Sequence, residues 1–230
     1  MEDLGNIIWR ALSGNHRALS VGTERTRRYS REFPALFGFE DPASADFESF
    51  GAHCEPGDHL YCTEWSGEAP DGWSVDFDGK VVAMIWRGDR PLLDPSIAVS
   101  ALDESHVEEM RALARLTRPG PFAQKPLGLG DWVGVFDAGR LVAMAGERLR
   151  AGNLHEVSGI CTHPDAQGRG LARALTLAMV RRQLDRGELP FLHVMPENAR
   201  ARTLYERIGF EFVREVPMRV VTKGSEPFFT

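Results

Sequence analysis

The chain has 230 residues, enough for one large domain or two small ones. Hydrophobic residues make up 43% and charged residues 26%, a balance that buries a core and argues against disorder. A net charge of −6 disfavours nucleic acid as a partner, and three cysteines cannot build a disulfide framework.

The start, Met1-Glu2-Asp3-Leu4, is acidic where an export signal is basic, so a cytoplasmic location is expected. The longest apolar run, Val81–Trp86, falls far short of the ~20 residues of a membrane span. Residues 1–95 carry scattered aromatics and loops rich in Gly, Pro and Asp, and read as a small α+β N-terminal extension or degenerate half-domain. Within it, Trp73–Met84 reads as a β-hairpin reversing at Asp78-Gly79. Trp132–Met144, around Asp137-Ala138-Gly139, repeats that pattern; a degenerate duplication and a shared hairpin recipe both account for the echo. His53, Cys54, His59 and Cys62 cluster within ten residues, but their spacing is unlike paired zinc ligands, and no metal is expected.

From residue 96 to 230 the pattern is α/β. Ile97–Ala101 is a strand candidate, and Asp103 caps a helix running to Leu116. Thr117-Arg118-Pro119-Gly120-Pro121-Phe122 follows, either as a helix stop or as a loop lining a substrate site. A hairpin over Trp132–Leu149 leads to a strand at Leu154–Thr162, a helix over about 169–185 stopped by Gly187, and a strand at Pro190–Met195. A helix over Asn198–Ile208 and a last strand over Phe210–Thr222 complete the chain. Strand–helix–strand over Leu154–Met195 is a right-handed parallel crossover by default.

The chemistry concentrates between Glu156 and Arg173. A strand enters a turn holding Gly168 and Gly170, and a helix starts there. Unpaired N–H groups and the positive end of the dipole favour phosphate at such a start, and glycine lets it approach. Arg169 and Arg173 add charge. A tight turn that binds nothing fits the two glycines as well. The spacing matches neither the dinucleotide fingerprint nor the lysine-bearing phosphate loop, which disfavours a Rossmann cofactor or ATP.

Gln167-Gly168-Arg169-Gly170-Leu171-Ala172 resembles the Q/R-x-x-G-x-G/A signature of the GNAT acyltransferase superfamily. Asn198-Ala199-Arg200-Ala201-Arg202-Thr203-Leu204-Tyr205-Glu206-Arg207-Ile208-Gly209-Phe210 is similar to its N-x-x-A-x-x-L-Y-E-x-x-G-F block. The resemblance spans about Ser96–Thr222, and the two-part layout is most similar to the glycine N-acyltransferase-like group. It implies a mixed antiparallel/parallel twisted sheet flanked by helices, with acetyl-CoA as donor co-substrate. By that analogy the pyrophosphate rests on the backbone N–H groups of Gly168–Ala172, with Gln167 and Arg173 also cofactor-binding, while Ile160, Cys161 and Thr162 run beside the pantetheine arm. Five or six strand residues span ~17–20 Å, which puts the thioester near Ser158 to Glu156.

Acyl transfer to an amine needs a base, an oxyanion site and an acid for the leaving thiolate. Glu156, eleven residues before Gln167, is the first base candidate, at the position where histone-acetylating relatives carry a strand glutamate. Its other reading is a glutamate paired with an arginine. His193 is the rival base, or else a satisfied core histidine. Tyr205 lies on a buried helix face, and the matched motif implies that it returns a proton to the thiolate. Asn198 caps its helix or bonds the pantetheine amides. Backbone N–H near Cys161 or Thr162 is the implied oxyanion donor, with the Cys161 thiol uninvolved. The expected activity is direct transfer of an acetyl or other short acyl group to a primary amine within a ternary complex. The expected acceptor is small, amine or amino-acid-like, and a homodimer is compatible with the sequence. A catalytically silent CoA-binding sensor or an interaction module are the other readings.

Overall fold

The computed structural model describes residues 4–224; the acidic Met1–Asp3 segment lies outside them. The N-terminal part begins with α1 (Ile7–Ser13) and a small antiparallel sheet of β1 (Ser20–Gly22), β2 (Thr26–Tyr29) and β3 (Phe37–Phe39). A short α2 (Phe47–Gly51) is capped by Asp46, whose side chain accepts from Ser49 N. Phe37, Phe39, Phe47, Phe50 and Trp65 then pack as one aromatic cluster against Leu60 and Val221. Rings in edge-on and stacked contact add ~0.5–1.5 kcal/mol per pair beyond their burial, which ties this region firmly to the rest.

The second sheet has eight strands: β4 (His59–Thr63), β5 (Trp73–Trp86), β6 (Ser100–Ala101), β7 (Trp132–Asp137), β8 (Arg140–Ala151), β9 (Leu154–Thr162), β10 (Leu189–Val194) and β11 (Phe210–Lys223). Their spatial order is β4-β11-β5-β10-β9-β8-β7-β6, with β9–β10 the parallel pair and the other neighbours antiparallel. This is the expected mixed sheet. Three helices flank it: α3 (Val107–Thr117), α4 (Leu171–Asp185) and α5 (Ala199–Ile208). One apolar core lies between the sheet and α4 and α5; a second, on the opposite face, joins it to α1 and the N-terminal strands. Because β4 and β5 both precede residue 95, the N-terminal part contributes strands to the main sheet itself.

Two expectations need correcting. Trp73–Met84 is no hairpin but part of one continuous strand that pairs with β11 along its length. The strand runs on through Asp78-Gly79, paired with Arg219 and Met218, into an alternating half with Val81, Ala83 and Ile85 in one core and Val82, Met84 and Trp86 in the other. Arg219 on β11 donates to Asp78 at 2.8 Å, so cross-strand pairing overrides the local turn signal. Ile97–Ala101 is likewise reduced to the two residues Ser100–Ala101 at the sheet edge. The second hairpin forms as expected: Ala138 and Gly139, with φ of 48° and 79°, join β7 and β8 in the two-residue turn whose twist matches the strands.

Candidate functional site

The site arises where two parallel neighbours part. β9 and β10 pair only from Leu154/Leu189 to Glu156/Phe191; beyond that, β9 stays with β8 and β10 with β5. The edge of β9 beyond Glu156 therefore has no strand partner, and a cleft of about 690 Å³ opens between the two strands. A bulge sharpens the bend: β9 takes three steps from Ser158 to Cys161 where β8 takes two from Gly146 to Met144. Gly159 sits in this bulge at a φ of 63°, and a Cβ there would lie 2.4 Å from Trp132 Cη2. Only glycine fits both conditions.

At one end of the cleft stand Gln167 and the glycine turn. Gly168 and Gly170 have φ of 79° and 76°, and a Cβ on either would meet open space, so conformation rather than crowding selects glycine there. The turn bonds little within the protein: Gln167 N reaches Pro164 O, and the next donor engaged is Ala174 N, on Gly170 O. Among the described residues the N–H groups of Gly168, Arg169, Gly170, Leu171, Ala172 and Arg173 find no protein acceptor, and α4 has no side-chain N-cap. The Leu171 side chain belongs to the core and offers only its backbone. Arg169 is already paired with Asp137 at the tip of the β7–β8 hairpin.

Along the cleft, Ile160, Cys161 and Thr162 form one wall and Asn198 and Tyr205 another. Thr162 Oγ1 is buried without a partner. The Cys161 thiol is pushed up to about 11 by burial, which keeps it protonated. Asn198 Oδ1 accepts from Ala201 N at 3.1 Å, capping α5 and leaving its amide nitrogen unengaged. Burial lifts the Tyr205 phenol to about 12, so it carries its proton at neutral pH, and no group among the described residues bonds its hydroxyl. Thr117–Pro121 line the cleft as well, so the segment after α3 is both a helix stop and part of the wall.

Glu156 lies behind this surface rather than on it. It is fully buried, and Arg148 grips it with two bonds, Nε to Oε2 at 2.8 Å and Nη2 to Oε1 at 2.7 Å. The third contact is His193 Nδ1 to Oε1 at 2.8 Å. Burial alone raises a carboxyl, but Arg148 and then His193 outweigh it and hold Glu156 at about 2. An ionised carboxylate only accepts, so the His193 proton sits on Nδ1 and the Nε2 lone pair is free. His193 lines the cleft. Arg148 also lines the cleft, and its role is not legible in the sequence, because its place on a strand antiparallel to β9 depends on a register that only the fold supplies.

The histidines and cysteines of the 53–62 stretch go to different places. Cys54 and Cys62 are buried in the aromatic cluster, while the exposed His59 bonds Thr222. Among the described residues, one other group has metal-like geometry, Glu147, His155 and Glu188. Arg186 bridges Glu147 and Glu188 and holds the place a cation would take.

Residues 132–220 match the family model described as FR47-like protein. A mycothiol acetyltransferase of Rhodococcus opacus is 49% identical over 57 residues, which is 24% of this chain and 19% of that protein. The stretch shared with these curated relatives thus spans under a quarter of their length. A GCN5-related N-acetyltransferase from Kribbella flavida aligns over 98% of both chains with a TM-score of 0.62 at 16% identity, a likeness of fold. A GNAT-family acetyltransferase from Novosphingobium aromaticivorans aligns over 98% of this chain and 100% of its own, at 34% identity and a TM-score of 0.90. With that identity sustained over both full lengths, the chain belongs to the GNAT family of N-acetyltransferases.

Proposed function

We propose that this protein transfers an acetyl group from acetyl-CoA, the donor its family uses, to a small primary amine by direct attack in a ternary complex. The observation that carries the reading is the run of six N–H groups, Gly168–Arg173, without an acceptor among the described residues, in the turn that follows Gln167 on the wall of a cleft formed by parting strands. Such a helix start suits a diphosphate. The unpaired edge of β9 suits an extended chain bearing amides, which adds to a strand edge as another strand would. The orphaned Thr162 hydroxyl and the free Asn198 amide nitrogen lie along the same path.

The thioester supplies an activated acyl carbon, and the protein's own groups handle the protons. His193 Nε2 takes a proton from the attacking ammonium or amine, and Glu156 stabilises the imidazolium through Nδ1. Glu156 is therefore a positioning residue, held by Arg148. A new C–N bond forms as the C–S bond breaks, and the Tyr205 hydroxyl gives its proton to the departing sulfur. Main-chain N–H at the β9 bulge suits the developing oxyanion. Covalent catalysis finds no support, since the Cys161 thiol is held protonated. The two-part layout also fits the glycine N-acyltransferase-like group, and longer acyl chains stay within the reading.

Calorimetric titration of acetyl-CoA, followed by release of free thiol with an amine panel, tests this. Binding with turnover supports transfer. Binding without turnover on any amine points to a sensor, and no binding removes the donor site altogether.

A further inference from the structure

We infer that the acceptor is an amine that also bears a carboxylate, with an apolar side chain, and that Arg148 and Arg118 hold the carboxylate. This rests on the acyl-transfer reading above. Arg148 uses Nε and Nη2 on Glu156, while Nη1 has no acceptor among the described residues. Its side chain is 17% exposed and lines the cleft together with His193, beside which an acceptor would sit. Glu156 divides its charge between Arg148 and His193, which leaves this wall short of negative charge.

Arg118, at the end of α3, lines the same cleft. It is exposed; its backbone N–H closes α3 on Ala114 O, while its guanidinium makes no hydrogen bond or ion pair to any described residue. No aspartate or glutamate lines the cleft among the described residues. A polyamine or aminoglycoside would bring a second ammonium toward Arg118, which has no counter-charge, and Arg148, whose counter-charge Glu156 is buried behind it and shared with His193, whereas a carboxylate meets two cations. Tyr61, Val81, Met195 and Met218 supply an apolar wall for the rest of the molecule.

The test uses the full chain with acetyl-CoA and follows thiol release with L-phenylalanine, L-leucine, L-phenylalaninamide, phenethylamine and spermidine. Acetyl-CoA affinity is measured alongside by calorimetry. The expected result is a kcat/KM for an amino acid about tenfold or more above that for the matched amide, the worth of one charged hydrogen bond. Arg118→Gln should raise KM for the amino acid about two- to fivefold, leaving KM for the amide and the acetyl-CoA affinity unchanged. Arg148→Lys, checked for folding by its melting temperature, should raise the amino-acid KM further. Equal or better use of the amide, preference for spermidine, failure of every amino acid despite donor binding, or an Arg118→Gln effect on acetyl-CoA instead of acceptor overturns this inference alone. Absence of acetyl-CoA binding overturns the transfer reading beneath it.

Discussion

Replacing His193 by glutamine removes the one cleft-facing nitrogen with a free lone pair while keeping a group that can donate to Glu156. The size of the effect follows from how poor a base the neighbouring carboxylate is. Arg148 and His193 pull Glu156 from an ordinary 4.5 to about 2, against burial. At 1.36 kcal/mol per pH unit this weakens it as a proton acceptor by about 3 kcal/mol relative to a free glutamate. Its burial behind His193 also denies it contact with the amine. His193→Gln should therefore lower kcat by about 10²–10⁴, with acetyl-CoA affinity kept. Glu156→Gln has a different signature. It leaves Arg148 without its counter-charge, so stability falls by about 3–5 kcal/mol, or roughly 6–20 °C in Tm for a chain this size. The amide oxygen still accepts from Nδ1, so the loss in kcat per folded molecule should stay below that of His193→Gln. Steady-state rates at saturating acetyl-CoA, normalised to folded protein, decide. A His193→Gln enzyme within threefold of wild type, beside a folded Glu156→Gln enzyme that has lost activity, would refute this reasoning and return the base to Glu156.

Tyr205→Phe should cut kcat about 10- to 100-fold while shifting the dissociation constant for CoA little, as calorimetry and thiol release will tell; equal losses in both would make Tyr205 a binding residue. His16 is buried, with Nδ1 hydrogen-bonded to the Tyr29 hydroxyl, and burial first, then His155 and Arg150, lower it from 6.5 to about 4. The unfolded chain then takes up the proton more readily, so stability is full above pH 6.5 and declines by up to about 3 kcal/mol as pH falls to 4. Urea titrations across that window should show the slope in wild type and its loss in His16→Gln; the same slope in both would discard it. Glu156, whose value is depressed, acts lower, its stabilisation fading between pH 4.5 and 2. Glu147→Gln breaks the buried cluster with Gln183, Arg186 and the Asp131 N–H. A loss of about 3–5 kcal/mol in chemical denaturation is expected, and a change within 1 kcal/mol would show the cluster to be ornamental.

Much of the fold was legible because its signals are local. Leu154–Thr162 forms as read, and Asn198 and Gly209 bound α5 with an N-cap and a C-cap. The glycine turn was legible for the same reason: Gly168 and Gly170 need a backbone conformation few other residues adopt. The failures are non-local. Asp78-Gly79 looks like a reversal until β11 pairs across it. The pairing of Glu156 with Arg148 and His193 depends on three strands lying in one order, β10-β9-β8, which spacing along the chain cannot supply. For that reason the sequence puts Glu156 first and His193 second as base candidates, while their common pairing with Arg148 comes only with the fold.

Amide hydrogen exchange across residues 168–173, with and without CoA, addresses the donor site most directly. Fast exchange is expected at all six amides in the free chain, since none has an acceptor among the described residues, and marked slowing when CoA is added. Unchanged exchange there, with protection appearing in another part of the molecule, would contradict it.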